Sequence, residues 1–547
     1  MLNNKNRLIY FFLSLILLFL GACQSYNDVK PSVVGNIQDT DSWYSDMNND
    51  ILRMDVTIPT PNSSLCADYN DITGPLRACT FEDVNNDVDA EDSYNPELNV
   101  IFSTSYFSSL PDNAIFESRG FYSRTQSQKS YGVKLNSKIN LLNKQRKFNI
   151  NKHQSDASRM KNKLAFNLFR MIPNITSLKT QFVNLWINNI DYGLFTHVEA
   201  PREEWLINRG FNKDDTLYNV ANFLFNYHDE LAVDAVGQPI NTIAFNTVLE
   251  IKNGNNHLKV NEMVEAVETT TDINQVIAKY FNRDNYITWM AINLILGNQD
   301  ISYHNFYLYN PKNSDTFYFL PWDYDGAWAT VQYLGKIDYG ISVYWESPLH
   351  RKFLSIKQNR DDVYAMVETL KQNYMNAEVM NPMIASYEAA IKPFILQLPD
   401  SENLSENAWK TEIDYLVPGI DYNIALFKSV IGDPMPFHEY VTYQLEDNSM
   451  QVTWDESIDF EGDTIVYDIY VSDDPSFPEA TSNKYKSFPK IGVTGTSYST
   501  NSDLIPGIYY LKVIARDDLN ASSYQIAFDT FYGASGTRHG VLEFEVK

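Results

Sequence analysis

Near residues 432–437 the hydrophobic period of the sequence changes. Ahead of it, residues 348–430 read mainly as helix. Behind it the period becomes two: Val452-Thr453-Trp454, residues 467–471 and residues 509–514 alternate apolar and polar between Asp, Ser and Gly turns. The two patterns bury different faces, so they call for separate layers. The expected fold class is α+β for residues 49–432, followed by an all-β sandwich over residues 437–547. A chain of 547 residues exceeds what one core usually supports, and 36 Tyr and 31 Phe supply bulky core material.

Within the first unit, residues 51–58, 98–102 and 129–135 read as strands. Residues 182–187 and 194–198 read as a hairpin joined by Asn188-Asn189-Ile190-Asp191-Tyr192-Gly193. Asp156 and Ser158 look like the start of a helix carrying Met160, Leu164, Leu168 and Met171. Another helix follows from about Arg202. The acidic stretch Asp83, Asn85, Asp87, Asp89 and Asp92 lacks the Gly and the closing Glu of an EF-hand and reads as a solvated loop.

The N-terminus reads as an export signal. Lys5 and Arg7 precede an apolar run over residues 8–20, broken only by Ser14 and short for a membrane span. Leu20-Gly21-Ala22-Cys23 then fits a bacterial lipobox, in which the Cys23 thiol takes a diacylglycerol. The expectation is a signal peptide over residues 1–22, a polar tether over 23–48 and a lipid anchor in the bacterial cell envelope. Gln24-Ser25, without Asp after Cys23, favours the outer membrane. Export would put Cys66 and Cys79 in an oxidising compartment, where a disulfide closing their short loop is expected. The net charge of −26 repels phosphate backbones and argues against nucleic-acid partners. It also means that a nucleotide would need a local cluster of Lys, Arg or metal.

One constellation can carry chemistry. A helix over residues 285–296 stops at Gly297, a turn presents Asp300, and Asn305 lies five positions on. Two short aromatic strands follow, at 306–309 and 317–320, and then Pro321-Trp322-Asp323-Tyr324-Asp325. Protein kinases use a comparable order: an Asp that takes the substrate hydroxyl proton, an Asn that holds magnesium, and after a hairpin another Asp for the metals that bridge the phosphates. Asp300 and Asp323 are therefore the catalytic candidates, and Asp300, Asn305, Asp323 and Asp325 the candidate metal ligands. No His-Arg-Asp, Asp-Phe-Gly or glycine-rich loop accompanies them.

Several separated segments resemble the spore-coat CotH family of kinase-like proteins. They are Arg119-Gly120, Ser123-Arg124, Lys129-Ser130-Tyr131, Val133-Lys134-Leu135, the helix with Arg159, Lys161, Asn162 and Lys163, Tyr192-Gly193-Leu194-Phe195 with Glu199, and Asn298-Gln299-Asp300, His304-Asn305 and Pro321 to Asp325. The resemblance implies an atypical kinase fold that binds ATP and Mg2+ and phosphorylates Ser or Thr on exported proteins. It places Lys134 at the phosphates, Arg124 and Lys129 around the anion and Glu199 on the adenine side. Two departures stand out: Gln128 precedes Lys129, and Phe121-Tyr122 follow Arg-Gly. The later strands, with Trp454-Asp455, residues 459–463 and Tyr467-Asp468-Ile469-Tyr470, resemble fibronectin type III-like modules. Rival readings are a catalytically silent surface-binding lipoprotein, and transfer of a nucleotidyl rather than a phosphoryl group.

Overall fold

The computed structural model describes residues 35–547 except 46, 90–93, 105–113, 121, 137–144, 329–339, 445–448, 478–489, 502–503 and 535. Cys23, Asp92 and Phe121 lie outside the described residues.

Alternation of apolar side chains makes seven strands: β1 (Leu52–Thr57), β2 (Glu97–Thr104), β3 (Ala114–Arg119), β4 (Ser130–Leu135), β5 (Lys147–Asn151), β6 (Thr180–Ile187) and β7 (Ile190–Glu199). They form a closed barrel in the order β1-β2-β3-β4-β5-β7-β6. Neighbours pair antiparallel except where β1 closes on β6 in parallel, with Met54 opposite Leu185. Period two sends Leu52, Met54 and Val56, Leu98, Val100 and Phe102, and Val133, Phe148 and Ile150 into the barrel core. The β6–β7 turn is tighter than the sequence suggests: Asn188 and Asn189, at φ 49° and 66°, make the connection alone. Asn tolerates this left-handed backbone better than most residues, and such turns match strand twist.

A second sheet, β8 (Thr216–Val220), β9 (Leu249–Asn253), β10 (Phe306–Asn310) and β11 (Tyr318–Pro321), has the order β9-β8-β10-β11. It packs with helices in the larger core. The helix α1 (Lys161–Phe169) lies before β6, and α2 (Arg283–Ile295) before β10. Trp289 of α2 stacks on Phe319 of β11 at 4.4 Å. Buried Asn285 accepts from the Phe319 amide at 2.7 Å and donates to its carbonyl at 3.0 Å, which locks the helix to the hairpin. The helical expectation for 348–430 corresponds to helices Pro348–Leu354, Lys357–Asn373, Ala377–Ile395, Glu406–Tyr415 and Pro418–Val430. Among the described residues, no helix is long and apolar enough to cross a membrane.

Three local expectations need correction. The helix does not start at Asp156. Asp156 and Ser158 sit in a turn in which Arg159 has φ 60°, and the Asp156 carboxylate reaches ahead to the Lys161 amide at 2.9 Å. The helix begins there, and Met171 lies exposed beyond its end. The acidic stretch is not a solvated loop. Asp83 is buried and paired with Arg77 at 2.7 Å, while buried Asp87 accepts from Ser118 at 2.8 Å. The described part of the expected tether is packed: Ile37 and Tyr44 are buried, and Asp39 accepts from the Ser177 amide at 2.7 Å.

Past residue 432 the regular elements among the described residues are all strands. Strands Glu439–Gln444, Ser449–Trp454 and Ser497–Asn501 make a three-stranded sheet. Strands Lys490–Val493, Ile465–Ser472, Gly507–Asp517, Tyr524–Ile526 and Leu542–Val546 make a five-stranded one. Both contribute to a core that includes Trp454, Tyr467, Ile469, Leu511 and Val513.

Lys163 of α1 is buried against the rings of Phe182 and Tyr387, with its ammonium donating to the Thr180 carbonyl at 3.1 Å. Burial first, and then the Arg170 charge, lower its pKa to about 7. In the unfolded chain a lysine titrates near 10.4, so folding carries the full cost below pH 7 and sheds it as the pH rises toward 10. Lys163→Met should therefore stabilise the chain by about 1–3 kcal/mol at pH 6 and by almost nothing at pH 10. Thermal unfolding at the two pH values checks this; an equal gain at both would show that packing rather than charge burial decides.

Candidate active site

Gly297 ends α2's run with φ 56°; a side chain there would press on Asn423, 2.7 Å from its Cβ position. The chain then turns to present Asp300. Both carboxylate oxygens of Asp300 are held from within the same loop: Oδ1 lies 2.5 Å from His304 Nε2, and Oδ2 accepts from Asn305 Nδ2 at 2.7 Å. Asn305 also donates to the Asp300 carbonyl at 3.0 Å and, at φ 62°, turns the chain into β10. In the β10–β11 hairpin Phe306 pairs with Pro321. That register returns the chain beside Asn305, so Asp323 and Asp325 emerge at the end of the hairpin that holds Asp300. Asp323 itself has φ 55°. Left-handed backbone at Asn305 and Asp323 is a local strain that the surrounding packing holds, and such strain clusters at functional sites.

The barrel supplies the other wall. β3 ends in Arg119 and β5 in Asn151, and His153 follows two residues later. Arg119 donates to the Asn151 side chain. Gly120, at φ 83°, lets the chain turn tightly: a Cβ there would meet Ser123 Oγ at 2.5 Å. Between the walls lies a cavity of about 980 Å³, lined among others by Arg119, Lys161, Asp300, Asn305, Asp323 and Asp325. His153, Asp323 and Asp325 bring one ligand atom each within 4.8 Å of one another. His153 Nδ1 is 3.1 Å from Asp325 Oδ2, and Asn162 holds the ring from behind at 3.1 Å while accepting from the Tyr324 amide at 2.9 Å.

Two carboxylates so close cannot both ionise freely. Burial, then the Asp325 charge, raise Asp323 to about 7, against the pull of His153 and Arg119. Asp325 moves the other way: burial alone would raise it, but the His153 hydrogen bond and charge hold it below the ordinary carboxylate range. The pair is a concentration of negative charge that a divalent cation would relieve, and oxygen donors suit magnesium. The donor set therefore fits the metal. His153 serves best as the group that orients Asp325.

The remaining residues singled out in the sequence lie elsewhere. Arg124 is buried, donating to the Asp89 carbonyl at 3.1 Å and 3.6 Å from Asp87 Oδ2. The Lys129 ammonium donates to the Asp87 carbonyl at 2.9 Å and also to the Arg124 carbonyl. The acidic stretch thus claims both cations for the barrel wall. Lys134 is exposed on β4 and does not line the cavity. Glu199 is fully buried, paired with Arg209 at 2.8 Å and accepting from the Lys179 amide at 3.0 Å, so it is an interior ion pair rather than an adenine contact. Cys66 and Cys79 are joined as a disulfide across paired two-residue strands.

Arg119 and Lys161 stand among the residues that carry the family resemblance, which gives them no role at the site, and the sequence does not single out His153. The cavity's positive charge comes from Arg119 and from Lys161, which pairs with Glu412 at 2.7 Å. Arg119 carried a signal, since it stands before Gly120 at a strand end. Nothing in the local sequence marks His153.

A family model described as "CotH kinase protein" matches residues 116–423, more than half of the chain. The inner spore coat protein H of Bacillus subtilis (strain 168) is 23% identical over 292 residues, covering 52% of this chain and 78% of that protein. Among solved structures, the Helicobacter pylori proinflammatory kinase CtkA is 12% identical with a TM-score of 0.22, covering 55% of this chain and 94% of CtkA. The Shewanella oneidensis MR-1 HipA–HipB toxin–antitoxin complex with operator DNA is 13% identical with a TM-score of 0.23, covering 61% of this chain and 64% of the matched one. With the family match running from barrel strand β3 through both acidic loops of the cavity, the chain belongs to the CotH kinase family.

Proposed function

We propose that this chain is an atypical protein kinase that transfers the γ-phosphoryl group of ATP to Ser or Thr of an exported protein. The observation that carries the reading is the cavity itself, with Asp300–Asn305 and Asp323–Asp325 on one wall and Arg119 on the other. ATP with magnesium would supply the phosphoryl group and the charge that offsets it. Asp323 and Asp325 are the carboxylates to hold the cation, and His153 keeps Asp325 turned toward it. Asp300, fixed by His304 and Asn305, accepts the proton of the substrate hydroxyl as its oxygen bonds to phosphorus and the bond to the ADP oxygen breaks. Arg119 faces this region as the phosphate-side cation, a role its planar fork suits.

The setting is part of the proposal. The lipobox at Cys23 supports a lipid-anchored protein of the bacterial cell envelope, facing a protein substrate outside the cytoplasm. The all-β unit, read as a fibronectin type III-like module, would space the kinase unit or bind a partner. Calorimetric titration of ATP with and without magnesium tests the nucleotide site directly. Arg119→Ala should weaken ATP at least 10-fold, the scale of a charge-assisted contact of about 1.5–3 kcal/mol. Lys134→Ala should change it less than about 2-fold, because an exposed lysine outside the cavity gains little from any ion pair. The reverse ranking would return the phosphates to the outer face of the barrel.

A further inference from the structure

The structure assigns a second cation site to Asp459, Asp463 and Asp517 of the all-β unit, and we propose that it takes calcium. Each of the three offers a carboxylate oxygen within 4.8 Å of the other two. Asp517 ends the strand Gly507–Asp517 and is only 4% exposed, yet its Oδ1 has no hydrogen-bond partner. Asp459 is turned the same way: its Oδ1 accepts from the amides of Glu461, Gly462 and Asp463 at 2.7, 2.7 and 3.1 Å, while its buried Oδ2 is left without a partner. Among the described residues no Lys, Arg or His forms a salt bridge with any of the three. A buried carboxylate oxygen with neither donor nor cation is costly, and a bound cation removes the cost. Burial, with Asp459, Asp463 and Asp433 adding to it, pushes Asp517 above the usual carboxylate range against the Ser523 hydroxyl.

The donors choose the ion. All are oxygen, which excludes the softer metals that favour Cys and His. Asp463 is exposed, so water can complete the shell. Calcium accepts irregular sets of 6–8 oxygens, whereas magnesium demands a near-octahedral set. The site also has a structural consequence. Between the ligands, Phe460 packs edge-on against Trp345 at 5.5 Å and lies 3.7 Å beneath the Arg360 guanidinium. Both partners belong to the kinase-like unit, Trp345 in the turn before the helix Pro348–Leu354 and Arg360 in the helix Lys357–Asn373. Calcium would hold the loop that plugs the seam between the two units.

The test is calcium calorimetry on the whole chain in an Asp323→Asn background, which silences the first site. One calcium should bind, and adding either Asp517→Asn or Asp463→Ser should weaken it at least 100-fold. Chelator should also open the seam near Gly432 to protease in the Asp323→Asn chain. Asp463 is a surface residue, so its variant separates ligation from folding. Calcium binding unchanged by Asp463→Ser, or no binding at millimolar calcium in the Asp323→Asn chain, overturns the site whether or not the chain proves to be a kinase.

Discussion

If the chain is the kinase proposed above, Asp323→Asn should abolish phosphoryl transfer, by roughly 10³-fold or more, while leaving the fold at least as stable as before. The size follows from where the residue sits. Positioned charge is the main device available for phosphoryl transfer, and in the proposed reaction Asp323 is one of two carboxylates that would anchor it. Stability moves the opposite way. Burial and Asp325 raise Asp323 to about 7, above an unfolded value near 3.9. The folded state therefore holds the proton more tightly, and stability is lost as the pH climbs through this interval. An amide removes that cost, so at pH 8 the variant should unfold at the same temperature or higher. Asn is preferable to Ala because it accepts the left-handed backbone of φ 55°. Turnover should be followed by radiolabel transfer to candidate proteins and stability by thermal unfolding. Full activity in a folded variant would remove Asp323 from the chemistry.

Asp400→Ala should give the largest loss of stability, about 3–5 kcal/mol. Asp400 pairs with Lys152 at 2.8 Å, both side chains being 1% exposed, and also accepts from the Leu194 amide at 2.8 Å. A second donation, from Lys152 to the Tyr192 carbonyl at 3.0 Å, remains after the mutation, but the ammonium would have no counter-charge. Burial already lowers Lys152 to about 8 against the pull of Asp400. Without the carboxylate it falls further, so the deficit should shrink as the pH rises toward 10, where the neutral amine costs nothing in the folded state. Lys152 adjoins His153, and the pair ties the barrel side of the cavity to the segment at Asp400. Loss of nucleotide binding should accompany the loss of stability. Lys152→Met combined with Asp400→Leu should recover most of the stability; failure to recover would mean that the Leu194 and Tyr192 contacts, not the ion pair, hold the segment.

The legible part of the site is the part made locally. Asp300, Asn305, Asp323 and Asp325 span a helix stop and one hairpin, and the pairing of Phe306 with Pro321 is enough to bring them together. The segments of β1, β2 and β4 likewise read as strands, and in β1 and β2 a period of two matches the side chains that turn inward. What could not be read was the destination of charges whose partners are distant. Arg124 and Lys129 looked like anion ligands because they stand near an Arg-Gly motif, but Asp87 and Asp89, more than thirty residues earlier, draw them into the barrel wall. Glu199 looked like a cleft residue until Arg209 met it inside the core. His153 came into the site only through closure of the barrel against the hairpin.

Local pattern was enough for part of the strands and helices, for the switch from mixed to all-strand structure, and for the four acidic-loop residues of one cavity wall. These depend on periodicity, turn residues and spacings of at most a few tens of positions. Tertiary packing decided which cations face the cavity and that His153 joins Asp323 and Asp325 there. A charge settles where burial and its counter-charge together cost least, and that balance is struck between segments that packing brings together, 42 residues apart for Lys129 and Asp87 and 172 for His153 and Asp325.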